Sequence, residues 1–186
     1  MSNYVHLTNK TEYSLSEGAL PIARISELCQ LFEMPAVGIS DTNNMFGALE
    51  FSERISSAGV QPIIGCNVKV KTPKQYLFEG NDEKDAYFFL NLYAKNQDGY
   101  QNLLKIISSA YMLDRRYTSV DIKSLVKYKD GIIVLSGGNN SILKKSNSNK
   151  ITKQSSLFVS DFKNEFNENF YIEIQRFGNN KYRINE

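Results

Sequence analysis

The chain is poor in the residue types that most often build reactive centres. Its 186 residues include one histidine, His6, and two cysteines. Cys29 and Cys66 both lie in apolar stretches, so we expect small buried residues in a reducing compartment rather than a disulfide framework. With a single histidine available, a Cys–His catalytic dyad is also disfavoured.

Strong charge, long apolar runs and common catalytic motifs are missing as well. The formal net charge of +2 argues against a strongly basic nucleic-acid-binding surface. Two lysine groups, at 69–74 and 144–153, are interpreted as solvated faces. The sequence has no secretory leader, no bilayer-spanning apolar run, no Walker loop, no nucleophile elbow and no HExxH or CxxC pair. We therefore expect a cytoplasmic protein without a membrane partner.

Apolar periodicity predicts alternating strands and helices. Strands are predicted at 5–7, 36–40, 63–70, 87–94, 132–135 and 170–175, and helices between Pro21 and Pro35 and at 44–57, 98–111, 121–128 and 157–166. Asp98, in a capping-box pattern, and Asp121 are the predicted N-caps of their helices, and the predicted apolar face of the first helix consists of Ile22, Ile25, Leu28, Leu31 and Phe32. Residues 137–156, rich in Gly, Asn, Ser and Lys, show the weakest signal for structure. This order predicts a parallel, barrel-like α/β domain, although periodicity alone does not separate a barrel from a doubly wound sheet.

Six segments, in order, resemble the PHP (polymerase and histidinol phosphatase) domain at the N-terminus of the α subunits of bacterial replicative DNA polymerases (DNA polymerase III). They are YVHLTNKTEYSLSEGA from Tyr4, MPAVGISDTNNMFGALEF from Met34, GVQPIIGCNV from Gly59, AKNQDGYQNL from Ala94, IIVLSG from Ile132 and FYIEIQR from Phe170. Together these blocks span nearly all of the chain, which makes the resemblance far more specific than any one motif.

The resemblance implies a metal site whose ligands have been replaced. Family members that bind metals use clustered histidines and carboxylates to acidify a water and stabilise phosphoryl charge. The positions that resemble those ligands hold Thr8, Lys10, Asp41, Thr42, Asn67, Phe89, Gly138 and Phe177. Asp41 matches an acidic ligand, and His6 is the other weak candidate.

Three local interpretations accompany this degenerate site. His6 is interpreted as a buried structural residue of the first strand. Asp41 is interpreted as a strand-end carboxylate that caps the turn into the next helix. Strand order suggests that the Lys10 ammonium pairs with Asp41 and replaces the charge of a metal.

By resemblance, the fold is a PHP-type distorted (β/α) barrel of parallel strands with outer helices. Residues 1–186 would form one PHP domain, truncated before the helix and strand that close the barrel and before the polymerase core. The full-length protein would be a Mg²⁺-dependent DNA-directed DNA polymerase that acts on primer–template DNA, and this fragment would be inactive and metal-free.

The resemblance also suggests what this domain does within the full-length protein. It would be a structural and docking module for the proofreading exonuclease and other replicase subunits. The alternatives are a PHP-family phosphoesterase or pyrophosphatase and a small free-standing adaptor.

Overall fold

The computed structural model describes residues 4–78, 86–113, 118–143 and 152–175. Within these ranges the chain alternates between strands and helices. The strands are β1 (Ala36–Thr42), β2 (Gln61–Lys71), β3 (Tyr87–Ala94), β4 (Ile132–Leu135) and β5 (Phe170–Tyr171). The helices are α1 (Ile22–Leu31), α2 (Ala48–Ser57), α3 (Gln97–Leu113), α4 (Ile122–Lys127) and α5 (Lys153–Phe166).

The five strands form one sheet in the order β1-β2-β3-β4-β5. β1–β2 and β4–β5 are parallel pairs, which confirms the predicted α/β class. β3 departs from the expected parallel arrangement, because it runs antiparallel to both β2 and β4. In its described residues, the connection from β2 to β3 contains only the 3₁₀ turn Lys74–Tyr76. A crossover between parallel strands is usually an α-helix, and the described residues of this connection form none, in keeping with the antiparallel return.

The segment predicted as a first strand lies against the free edge of β1 without forming a regular strand. The backbone N–H groups of Gly38 and Ser40 donate to the carbonyl oxygens of His6 and Asn9, each at 2.8 Å. The Asn9 side-chain amide donates to the Gly38 carbonyl oxygen at 2.9 Å. In a regular strand pair, a backbone N–H group would donate this hydrogen bond. Gly38 permits this approach, because a Cβ there would lie 2.5 Å from the Leu7 carbonyl oxygen.

Two apolar clusters hold the helices against the sheet. The larger cluster joins β2, β3 and β4 to α3 and α5, and it contains Cys66, Val68, Leu90 and Phe158. The smaller cluster joins β1 to α1 and α2. Both cysteines are buried, as expected, and burial raises the pKa of each thiol. Among the described helices, none combines the length and apolar character needed to cross a membrane.

The face of α1 that contacts the core differs from the predicted one. Ile22, Ile25 and Cys29 are buried, whereas Leu31 and Phe32 are 69% and 55% exposed. The helix ends at Leu31 and the chain turns through Glu33, whose φ is +51°. Leu31 and Phe32, the last two apolar residues of the helical pattern, are therefore directed away from the core.

Helix starts show which capping signals were interpreted correctly. Asp121 accepts the Ser124 N–H at 2.6 Å, as predicted for α4. At α3 the cap is Asn96, which accepts the Gly99 N–H at 2.9 Å, so the predicted capping box at Asp98 is wrong. α5 begins at Lys153, four residues earlier than predicted, because Thr152 caps it.

Candidate functional site

The polar residues predicted to form the degenerate site collect where β1 ends, beside the middle of β2. Thr42 is the register partner of Asn67, which is in turn opposite Asn91 on β3. The same row continues through Leu135 and Tyr171. Because these positions are adjacent across the sheet, the replaced ligand positions on β1 and β2 do lie side by side.

Asp41 is fully engaged by hydrogen bonds from the N-terminal turn. It is 1% exposed. One carboxylate oxygen accepts from the Thr11 N–H at 2.7 Å and the Ser14 hydroxyl at 2.5 Å, and the other accepts from the Thr11 hydroxyl at 2.7 Å. Asp41 therefore anchors the turn at 11–18, and the expectation that it caps the turn into α2 is wrong.

Lys10 pairs with Glu17, and the expected pair with Asp41 is replaced. The Lys10 ammonium donates to the Thr42 hydroxyl at 2.6 Å and contacts the Glu17 carboxylate. The Thr42 hydroxyl donates to the same carboxylate at 2.6 Å. Burial alone would raise the pKa of Glu17, but the hydrogen bonds from Lys10 and Thr42 and the Lys10 charge together hold that pKa below its usual range. A salt-bridged carboxylate thus faces the position where Thr42 replaces a ligand.

A second network surrounds the carboxylate of Glu173, which follows β5. Asn67 donates to the Asn91 side-chain oxygen at 2.6 Å, and the Asn91 amide donates to Glu173 at 2.7 Å. Thr8 and Gln175 donate to the other Glu173 oxygen at 3.2 and 2.7 Å. Two of the replaced ligand positions, Thr8 and Asn67, are therefore linked through one carboxylate.

Tyr93 and Gly138 complete the surroundings of this network. The Tyr93 hydroxyl lies 3.5 Å from the Thr8 hydroxyl, and burial raises the pKa of Tyr93 to about 12. Gly138 has a φ of +52°, and a Cβ at this position would lie 2.3 Å from the Gln175 side chain. A ligand-bearing side chain at 138 is incompatible with the present position of Gln175.

The remaining candidate positions are dispersed. His6 is exposed and makes an edge contact with Tyr4, with ring centroids 4.7 Å apart, so its interpretation as a buried residue is wrong. Phe89 is partly buried on β3, opposite Lys69. Phe177 lies outside the described residues.

The donor set does not fit a catalytic metal cluster. A catalytic metal ion typically needs about three protein ligands and an open position for water. Across 4–78, 86–113, 118–143 and 152–175, no three His, Cys, Asp or Glu side chains are grouped closely enough to hold an ion. Asp41 is already satisfied by three donors, and Thr8, Asn67 and Asn91 are neutral groups bonded within the protein.

Sequence reasoning missed the residues that satisfy this site. They are Thr11, Ser14, Glu17, Asn91 and Glu173. Thr11, Ser14 and Glu17 lie within the opening block that resembles the family, and Glu173 lies within the block FYIEIQR, but nothing in those blocks connects them to Asp41 or Asn91. Only the folded arrangement brings these pairs together.

Comparison with known proteins identifies the family. The PHP domain model matches residues 6–177. DNA polymerase III α subunits of Haemophilus influenzae and Caulobacter vibrioides are 32% and 35% identical over 178 residues, which is 94% of this chain. The subunit of Borreliella burgdorferi is 34% identical over 181 residues. The chain spans only 14–16% of the length of these relatives.

A solved structure supports the fold alone. A protein of Bifidobacterium adolescentis, classed with the metal-dependent phosphoesterases, superposes on 84% of this chain with a TM-score of 0.50 at 10% identity, and the match covers 74% of that protein.

The match to the PHP family, over residues 6–177, includes almost all of the described sheet and both hydrogen-bond networks. The chain therefore belongs to the PHP domain family.

Proposed function

We propose that this chain is the PHP domain of a DNA polymerase III α polypeptide and acts in it as a metal-free structural and docking module. Relatives with that name match 94–95% of the chain, which supports this assignment. Primer extension on primer–template DNA with Mg²⁺ would then reside in parts of the polypeptide outside these residues. The place of action would be the cytoplasm, where the replicase works.

The observation that carries the proposal is that donors within the protein bind both carboxylate oxygens of Asp41. An open catalytic site leaves its carboxylates available to an ion, whereas here three buried donors occupy both oxygens. Nearby, the Lys10 ammonium stands beside Thr42, and a positive charge there would repel a divalent cation. The phosphoesterase alternative has support only from a likeness in fold, which is compatible with many functions.

The proposed lack of hydrolytic activity in this domain indicates what kind of partner it would bind. A polymerase whose PHP domain cannot hydrolyse phosphodiesters would take its editing activity from a separate chain. We therefore infer that the domain contributes to docking of the proofreading exonuclease and other replicase subunits.

We expect an α polypeptide that carries this domain to bind its cognate exonuclease subunit equally well with and without a chelator. The reason is that docking requires the folded surface and no ion. Asp41→Asn, which keeps most of the hydrogen bonds, should bind as the native chain does, whereas Asp41→Ala, which loses the anchor of the N-terminal turn, should bind weakly. Isothermal titration calorimetry measures the affinity of the native chain with and without chelator and the affinity of each variant.

The two variants separate the possible results. Loss of binding both on chelation and in Asp41→Asn would show that docking depends on a metal ion. Equal binding by all three chains would place the docking surface outside this domain.

Metal titration provides a test that needs no partner. We expect Mn²⁺ and Zn²⁺ to give no stoichiometric heat in the micromolar range with the native chain, because the one matched acidic ligand is occupied. Asp41→Asn serves as the control that retains the fold. Stoichiometric micromolar binding to the native chain that disappears in Asp41→Asn would demonstrate a surviving site and refute the metal-free assignment.

A further inference from the structure

The two edges of the sheet are joined by side chains that are far apart in sequence. The N-terminal segment lies outside β1, where His6 and Asn9 accept hydrogen bonds from that strand. Residues 172–175 continue from β5 at the opposite edge. The Thr8 hydroxyl nevertheless donates to Glu173 at 3.2 Å, across 165 positions of the sequence. The sheet must curl for these edges to meet.

Glu173 contacts the first edge, the centre and the last edge of this curled sheet. Besides Thr8, its carboxylate accepts from Asn91 on β3 at 2.7 Å. Its own backbone N–H donates to the Ser136 hydroxyl, just beyond β4, at 3.0 Å. Gln175 donates to the carboxylate at 2.7 Å and also accepts from the Asn139 N–H at 3.3 Å. Three separate parts of the sheet therefore converge on one residue.

We propose that Glu173 is a latch that couples the two edges of the sheet and holds the domain in its curled form without metal ions. A carboxylate with three side-chain donors can join elements that no backbone hydrogen bond links directly. Hydrogen bonds to a charged acceptor are stronger than those between neutral groups. Opening the latch at either end should loosen the other end as well. This proposal does not depend on the identity of the docking partner.

The coupling has a specific signature in amide hydrogen exchange. The Gly38 and Ser40 amides report attachment of the N-terminal segment, and the amide of residue 173 reports attachment of the other edge. In Glu173→Gln, one oxygen acceptor becomes a donor that faces Thr8, Asn91 or Gln175. We expect exchange of all three reporters to accelerate ~5–10-fold, which corresponds to losing about one hydrogen bond.

The reciprocal variant, Thr8→Val, removes the donor from the N-terminal segment and leaves Glu173 intact. Here too the amide of residue 173 should exchange ~5–10-fold faster. Thr8 is exposed, so this variant should fold even if a change at Glu173 is poorly tolerated. Glu168→Gln removes an equal charge from an exposed position and should leave all three reporters unchanged.

A local effect would overturn the proposal. If Glu173→Gln accelerates exchange only at residue 173, or Thr8→Val only at Gly38 and Ser40, the two edges open independently. If Glu168→Gln gives the same acceleration as Glu173→Gln, the change reflects net charge and the latch does not exist.

Discussion

Replacing Asp41 with alanine is expected to lower the free energy of unfolding by about 3–5 kcal/mol. The substitution removes one acceptor and leaves three donors without a partner. Thr11 and Ser14, which supply those donors, are 0% and 3% exposed, so water cannot readily replace the carboxylate. Because small domains are stable by only about 5–15 kcal/mol, this loss would be a large fraction of the total stability.

The matched variant for this test is Asp41→Asn, which preserves the shape of the side chain. Its amide oxygen can keep the bonds from the Thr11 N–H and the Ser14 hydroxyl, while its NH₂ group faces the Thr11 hydroxyl, which can rotate and accept. We expect a loss of about 1–2 kcal/mol in this variant. Urea denaturation measures the free energy of unfolding of both variants. A shifted midpoint, with an unchanged dependence of that free energy on urea concentration, would identify a change in stability.

One outcome of the Asp41 experiment would contradict this prediction. If alanine and asparagine destabilise the domain equally and by less than about 1 kcal/mol, the hydrogen bonds from the N-terminal turn contribute little. Asp41 would then be available for another role, and the weak metal-ligand candidate of the sequence analysis would gain support.

Periodicity and turn chemistry predicted the individual elements well, because those signals are local. β3 matches its predicted bounds, 87–94, and the Asp121 cap formed as expected. The direction of β3 was not predictable in the same way. Alternation along a strand says which side chains share a face, but it carries no information about the neighbouring strand. The link before β3, which holds a 3₁₀ turn and no α-helix in its described part, was the available clue.

The sequence indicated which residues belong to the candidate site, but it did not indicate their hydrogen-bond partners. The family blocks drew attention to Thr8, Asp41 and Asn67, which the structure places in the N-terminal segment, near the end of β1 and in the middle of β2. Their partners were missed, because Thr11 and Ser14 are ordinary turn residues in sequence and Glu173 is 165 residues from Thr8. His6 shows the complementary error, since the edge segment exposes it even though the surrounding pattern resembles a buried strand.

These contacts change how the lost ligands are interpreted. Thr8 and Asn67 are joined to Glu173, directly or through Asn91, and Thr42 is joined to Lys10 and Glu17. Hydroxyl, amide and ammonium donors thus bind the carboxylates of Glu17 and Glu173. Residues at the predicted ligand positions therefore cross-link the N-terminal segment, the sheet and the segment after β5.

The α5 helix offers the second large effect, because it covers the sheet with aromatic side chains. Phe158 is 0% exposed and contacts Tyr76, Phe88 and Phe170 edge-on, with ring centroids 5.7, 5.5 and 6.0 Å apart. It also lies 4.4 Å, centroid to centroid, from Phe162 on the next turn of the helix. One ring therefore connects α5 to β3, to β5 and to the turn after β2.

Phe158→Ala is expected to lower the free energy of unfolding by about 3–5 kcal/mol, through lost burial and the cavity that remains. Leu157→Ala is the matched control, because Leu157 is adjacent on the same helix but 37% exposed, and it should lose well under half as much. Urea denaturation of both variants gives the comparison. Equal, small losses would mean that α5 does not pack on the sheet as described. A large loss confined to Phe158→Ala would show that this helix stabilises the sheet that carries the Glu173 network.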